Sequence, residues 1–563
     1  MSHAVALAKR SGEVAAPGTL EADAPRHRRG VLAPPLVAMQ PPAATLPARA
    51  DAPIAPRAVA LATATVIALA LVLVRMMNYP MRRDEQLYVP PAALLEDQAL
   101  YADFFYNHVP GSAALFRAVH LLLPGDQLLA SARLAVFGGW VMFAAVAAWI
   151  AWTLTRSLAV VAFVLAAVLL NDALLGTVGM TATNNFLPLP LAALGFALLT
   201  LGLMKSAPRA TPLALAGLCL ALAASLKASA VAFVPVAILA VLLRPRDARL
   251  TERLESGLLP LALGGLAGAL PVLVPLALDP QLVLAHVVGF HTGVHVDHWA
   301  AASAAGTPAT MSWSEKAMLA HDVWLGGANA LIVAAALALL VLGWATPEDR
   351  GALRTVAAAV GLVALFCLVP TPAFPQYFAA PLALAPLLVA LLHRRLAGNA
   401  RRLASGVLLA CAVVIAAIGA PRLVQHLGRA TPAAWATTGV HETGRRMAAI
   451  LRERGLDGRV ATLAPVYALE GGLRVYPELA TGQFIYRSAD RADPDLRRHF
   501  VTTSPTTVGA LLEREPPAAL LLGFEPALER PLAAFARARG YRPVGGFEVE
   551  DRYGIGRLWL PPR

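Results

Sequence analysis

Between residues 58 and 421 the chain alternates long apolar runs with short polar breaks. Eleven runs stand out, at approximately 58–77, 129–153, 157–175, 183–204, 212–226, 229–243, 257–278, 326–345, 352–369, 377–393 and 403–421. A bilayer core takes about 20 apolar residues per helix, so the pattern predicts about eleven transmembrane helices. The fifth and sixth runs are short and parted only by Leu226, Lys227 and Ala228. Residues 1–57, rich in Ala and Pro, show no apolar periodicity and read as a disordered cytoplasmic tail. No apolar core follows Lys9 and Arg10 at the distance of a secretory signal, so the first span is expected to be retained. After residue 440 the pattern changes. Helical periodicity over Arg445 to Arg454, Thr507 to Arg514 and Ala527 to Arg539 alternates with strand-like runs at Arg459 to Leu463, Ala518 to Gly523, 543–550 and 555–560. The expected fold is a multi-pass α-helical membrane protein with a soluble C-terminal α/β or α+β domain over 440–563.

Composition sharpens this division. A hydrophobic fraction of 58%, only 15% charged residues and a mean hydropathy of +0.61 exclude a soluble protein. Charged residues make up about 11% of positions 1–439 and about 27% of the rest, which separates body from tail domain. The net charge of +12 does not indicate nucleic acid, because the charges lie between apolar runs. Cys219, Cys367 and Cys411 all fall within apolar runs, so no disulfide framework or redox chemistry is expected.

Alternate breaks are basic: Arg57, Arg156, Lys205 with Arg209, Arg244 to Arg249, Arg350 with Arg354, and Arg394 to Arg402. The positive-inside rule assigns these to the cytoplasm. The loops 78–128 and 279–325, the breaks near 171–182 and 370–376, and the tail domain then face outward. Chemistry is expected at the outer face of the plasma membrane, the inner membrane of a two-membrane cell.

The first outward loop opens with Arg82-Arg83-Asp84-Glu85-Gln86-Leu87-Tyr88, two carboxylates beside two guanidiniums at the membrane surface. An interfacial charge cluster explains such a run equally well, yet short outward loops tend to avoid Arg. Residues 90–100 read as an amphipathic helix lying in the interface. In the following run, Tyr101 to Gly111, belt aromatics surround Asp103 and His108.

Asp84-Glu85 after the first span, then Tyr88, Tyr101, Asp103, His108 and Pro110, resemble the first outward loop of the GT-C glycosyltransferases, closest to the protein O-mannosyltransferase and aminoarabinose transferase group. The segments Gly217 to Pro235, around Lys227, and Pro372 to Pro386, with Gln376 and Tyr377, are similar to later segments of that family, so the resemblance spans about 58–421. It implies transfer of a sugar from a polyprenyl-phosphate donor to a lipid, polysaccharide or protein acceptor. Asp84 is the position matching the family's catalytic aspartate, and Glu85 completes the pair. Tyr88, Asp103, His108, Gln376 and Tyr377 become expected substrate contacts. His108-Val109-Pro110 departs from the His-Pro-Pro triplet of the eukaryotic protein mannosyltransferases, which weighs against a protein acceptor.

Lys227 is one of four lysines in the chain. An unpaired ammonium at a helix centre costs at least about 2.5–3.5 kcal/mol. Snorkelling is the plainer account, but a donor phosphate would neutralise the charge, with Arg82 or Arg83 as further ligands. His291, His295 and His298 share one helical face and are candidate ligands for a divalent metal, although Gly289 and Gly293 weaken that helix and scattered interfacial histidines fit better. Displacement of a phosphate leaving group requires no obligatory metal, so no cofactor is expected to be essential. A transporter or flippase, or an assembly scaffold, would also carry charge in the membrane. A transporter predicts broken helices with polar groups at the midplane, whereas here the polar residues gather in one loop.

Overall fold

The computed structural model describes residues 54–123, 125–204, 207–244, 248–343 and 350–563. The expected tail lies outside them except for its last four positions, as do Lys205 and Arg246. Each of the eleven predicted runs is helical. Among the described residues six helices are long and apolar enough to cross a membrane, from Pro56–Met77 to Gly398–Val424. The helices Trp313–Trp324 and Gly327–Leu342, bent by 79° from one another, make a seventh when taken together as one broken span. The other four runs form shorter apolar helices, Leu158–Leu169, Pro188–Leu203, Ala210–Leu226 and Ala228–Leu243.

The break at Lys227 is real. Its backbone is extended (φ −149°, ψ 117°) between the end of Ala210–Leu226 and a 3-10 segment, Ala228–Phe233. Small residues fix that end. A Cβ on Gly217 would stand 1.9 Å from the Leu261 carbonyl oxygen, so only glycine lets these two helices come so close. Gly111 likewise lets the first loop rest its backbone on the Ser225 carbonyl, two residues before Lys227.

The long first loop is not the interfacial structure expected. Over 90–100 only Pro91–Leu94 is helical, and Ala92 and Leu94 are buried against the protein rather than facing lipid. The physical reason is the neighbouring aromatic run: Phe104, Phe105 and Tyr106 enter the core and draw the short helix in with them. The loop also contains the helix Gly111–Leu122, which belongs to none of the predicted runs.

Beyond the long helix Ala436–Glu453 the chain builds a four-stranded sheet from β1 (Val460–Thr462), β2 (Ala519–Leu522), β3 (Arg542–Glu550) and β4 (Ile555–Leu560). Their order is β1-β2-β4-β3, with β1 and β2 parallel and the remaining pairs antiparallel. The left-handed glycines Gly455 and Gly540 end the predicted helices where the pattern placed the stops.

Three contacts lock this sheet region onto the loops. Gln86 Oε1 accepts from the Val466 amide at 2.9 Å. The fully buried Glu470 carboxylate accepts from the amides of Leu128 and Leu129, at 3.1 and 2.7 Å, and so caps the helix Leu128–Thr155. Phe105, Phe290, Ile485, Ala489 and Phe500 form one hydrophobic cluster drawn from both loops and the C-terminal region.

Candidate active site

Asp84 and Glu85 point to different destinies. Glu85 exposes no surface, and both its oxygens are occupied. Oε1 accepts from Arg133 Nε (2.9 Å) and the Ala182 amide (2.8 Å); Oε2 accepts from Arg133 Nη2 (2.9 Å) and the Arg82 amide (3.0 Å). Arg133 is itself fully buried and donates to the carbonyls of Met76 and Tyr79. Glu85 therefore has no free oxygen for proton transfer, contrary to the expected catalytic pair. The signal for Arg133 was present in the chain: an arginine inside the apolar run 129–153 needs a partner.

The Asp84 carboxylate, by contrast, is half-buried and has no hydrogen bond or ion pair among the described residues. Burial pushes its carboxyl above the ordinary carboxylate range; Arg487, Arg82 and Lys227 pull it back, and Glu85 adds to the rise. Three cations thus act electrostatically on one carboxylate.

Lys227 donates from Nζ to Asn185 Oδ1 at 2.7 Å and lies over the Tyr377 ring, 5.2 Å from its centroid. Among the described residues it has no carboxylate partner within ion-pair distance. Tyr88 donates from its hydroxyl to Asn184 Oδ1 at 2.8 Å, and its ring stacks on His108 at 4.7 Å. The two asparagines join the expected residues at the site. Their signal is polarity at the head of an apolar run, in Thr183-Asn184-Asn185-Phe186.

The remaining expected residues divide. Asp103 is exposed and caps the Ala99 amide at 2.7 Å, so it stands apart from the site. Arg83 forms a bidentate ion pair with Glu525 and lies over the Tyr553 ring at 4.2 Å, which diverts it from Asp84. Arg82 donates to the Tyr79 hydroxyl at 3.2 Å, while its buried Nε has no partner. Gln376 lines a separate cavity of about 310 Å³ with Asp172, Asp322 and Arg422, although its neighbour Tyr377 belongs to the site.

The second loop contributes rings rather than a metal cluster. His291 shares a 2.7 Å hydrogen bond between its Nε2 and the Asn107 carbonyl. His295 and His298 contact Trp299 from the same helix. Burial lowers His295 to about 3, with His291 and then Arg487 adding to the fall, and lowers His298 to about 4, with Arg487 adding. No three His, Cys, Asp or Glu side chains converge as metal ligands among the described residues. The candidate set His291, His295 and His298 is not gathered into such a cluster, its helix being interrupted at Gly293.

An aromatic wall connects the two sides. Trp299 contacts Phe374 (5.9 Å between centroids), and Phe374 contacts Tyr377 (5.6 Å). Lys227 sits over the Tyr377 end, and Arg487 over the Trp299 end at 5.2 Å. Arg487 comes from the C-terminal region.

The chain is a multi-pass membrane protein, and its fold is that of ArnT. No protein-family model and no curated protein sequence matches it. Among solved structures it resembles ArnT from Cupriavidus metallidurans bound to undecaprenyl phosphate, with 15% identity, a TM-score of 0.58, and coverage of 89% of this chain and 98% of that one. The apo form of the same protein aligns over the same shares with a TM-score of 0.57. The mycobacterial arabinofuranosyltransferase AftD aligns at 17% identity over 89% of this chain and 41% of that chain, with a TM-score of only 0.43.

Proposed function

We propose that the protein is a membrane glycosyltransferase that moves a sugar from a polyprenyl-phosphate donor to a lipid, polysaccharide or protein acceptor. The observation that carries this reading is the half-buried, unpartnered Asp84 carboxylate, within electrostatic reach of Lys227, Arg82 and Arg487, two of which lie over the ends of an aromatic wall. Its fold is shared with a protein whose structure holds undecaprenyl phosphate. The basic breaks support an orientation with the site, and the C-terminal domain over 440–563, on the outer side of the plasma membrane.

The reaction is a displacement at the anomeric carbon. Asp84 takes the proton of an acceptor hydroxyl, and a carboxyl raised by burial is better matched to that task than an ordinary one. The new bond joins the acceptor oxygen to the anomeric carbon. The bond from that carbon to the phosphate oxygen breaks, and its electron pair leaves with the polyprenyl phosphate. Lys227 and Arg82 stabilise the growing phosphate charge with fixed cations. Glu85, through Arg133, holds the turn that presents Asp84.

The test is incubation of the purified protein with a panel of radiolabelled polyprenyl-phosphate sugars in the presence of cell-envelope lipid, glycan and protein fractions as acceptors. Release of free polyprenyl phosphate from at least one donor is expected; intact donors throughout the panel would refute the reading.

A further inference from the structure

The short segment from Ala182 to Asn185 touches both halves of the site, and the displacement above gives it no role. The Ala182 amide donates to Glu85 Oε1 at 2.8 Å, next to Asp84. Asn184 Oδ1 accepts from the Tyr88 hydroxyl at 2.8 Å, and its Nδ2 donates to the Leu226 carbonyl at 3.2 Å, at the helix end that leads into Lys227. Asn185 Oδ1 then accepts from Lys227 Nζ at 2.7 Å. Thr183, Asn184 and Asn185 are all buried, and Asn185 Nδ2 donates to Thr183 Oγ1 at 3.0 Å, which turns the oxygen of that amide toward the ammonium. The segment thus ties the turn of Asp84 to the break at Lys227.

The kind of partner given to the lysine matters as much as its place. An ammonium donates through several N–H groups and accepts nothing, and among the described residues Asn185 is the acceptor it meets. A carboxylate at the same distance would neutralise it, as Glu85 neutralises Arg133. A neutral amide fixes the direction of the ammonium and leaves its charge and its other donors for an anion. Asp84 acts on Lys227 electrostatically but makes no ion pair with it. Resting on the glycosyltransferase reading, we propose that Asn185 is a positioning residue, which aims Lys227 at the departing phosphate while leaving the ammonium uncompensated.

The full-length purified protein is titrated with undecaprenyl phosphate, and its melting temperature is measured in parallel. Asn185→Asp keeps the shape of the side chain and gives Lys227 a carboxylate partner. It should melt no lower than wild type, yet bind undecaprenyl phosphate at least about tenfold more weakly. Asn185→Ala loses the aim but spares the charge, and should lose less affinity than Asn185→Asp. A merely structural amide would give the reverse order, the isosteric variant being the milder, and that order overturns the proposal, as does wild-type affinity in Asn185→Asp. The Lys227→Ala background supplies a test that does not depend on how Asn185→Asp folds. There, adding Asn185→Ala should weaken binding no further, because the amide acts through the lysine; a further loss as large as in the presence of Lys227 overturns the proposal. Wild type that binds no undecaprenyl phosphate, or leaves every donor intact, is a different result and refutes the glycosyltransferase reading instead.

Discussion

Glu85 and Arg133 are joined by two hydrogen bonds of 2.9 Å, and neither side chain exposes any surface. The pair ties the first residues after the first span to the helix Leu128–Thr155. Removing one partner of a buried ion pair costs about 3–5 kcal/mol, because the other charge is left uncompensated. Arg133→Met and Glu85→Gln should therefore lower the thermal unfolding temperature and the yield of folded protein. A Glu85→Gln protein that melts like wild type but is as inactive as an Asp84 variant would make Glu85 catalytic after all.

The pH dependence of transfer should report Asp84. As a base it works only when deprotonated, and its carboxyl is raised by burial, so the rate should fall on acidification at a pH above the usual carboxylate range of about 4. Arg487 is the largest of the influences that lower this carboxyl. Arg487→Gln should accordingly shift the acidic limb to higher pH, measured as kcat/KM against pH. An unmoved limb would show that Arg487 does not face Asp84.

Lys227 is placed to hold the donor phosphate, and hydrogen bonds to charged groups contribute about 1.5–3 kcal/mol. Lys227→Ala should weaken undecaprenyl phosphate binding roughly tenfold to a hundredfold, with acceptor KM little changed. Equal donor affinity in the variant, by direct binding measurement, would return this lysine to a packing role over Tyr377.

Arg83 makes the opposite case. Its partner Glu525 and the Tyr553 ring hold it at a partly exposed position, where such pairs contribute about 0–1 kcal/mol. Arg83→Ala should leave donor affinity intact and change stability no more than Glu525→Ala does. A tenfold loss of donor affinity would instead put Arg83 on the phosphate.

Much of this architecture was legible in the chain, because helices that cross a bilayer must be written as long apolar runs, and strands such as Ala519–Leu522 as short ones. Asp84, Tyr88, His108, Lys227 and Tyr377 were legible because polar or aromatic residues at the edge of such runs need a reason. Which way each neighbour turns was not legible. Asp84 and Glu85 are adjacent, yet a partner 48 residues away claims only the second. Asp103 was lost to a local turn and Arg83 to Glu525, choices that only tertiary packing decides. Arg487 lies in a stretch from 464 to 506 without strong periodicity, and nothing in the order of its neighbours shows that Phe105 and Phe290 will receive Ile485 beside it.

The most direct test of the account compares wild type with Asp84→Asn in proteoliposomes, using a donor that the wild type cleaves and an acceptor to which it transfers the sugar, at matched donor occupancy. Single-turnover release of polyprenyl phosphate should be rapid in wild type and at least about a thousandfold slower in Asp84→Asn, with donor binding retained, as expected for loss of a catalytic base. Release at the wild-type rate in the variant would contradict it.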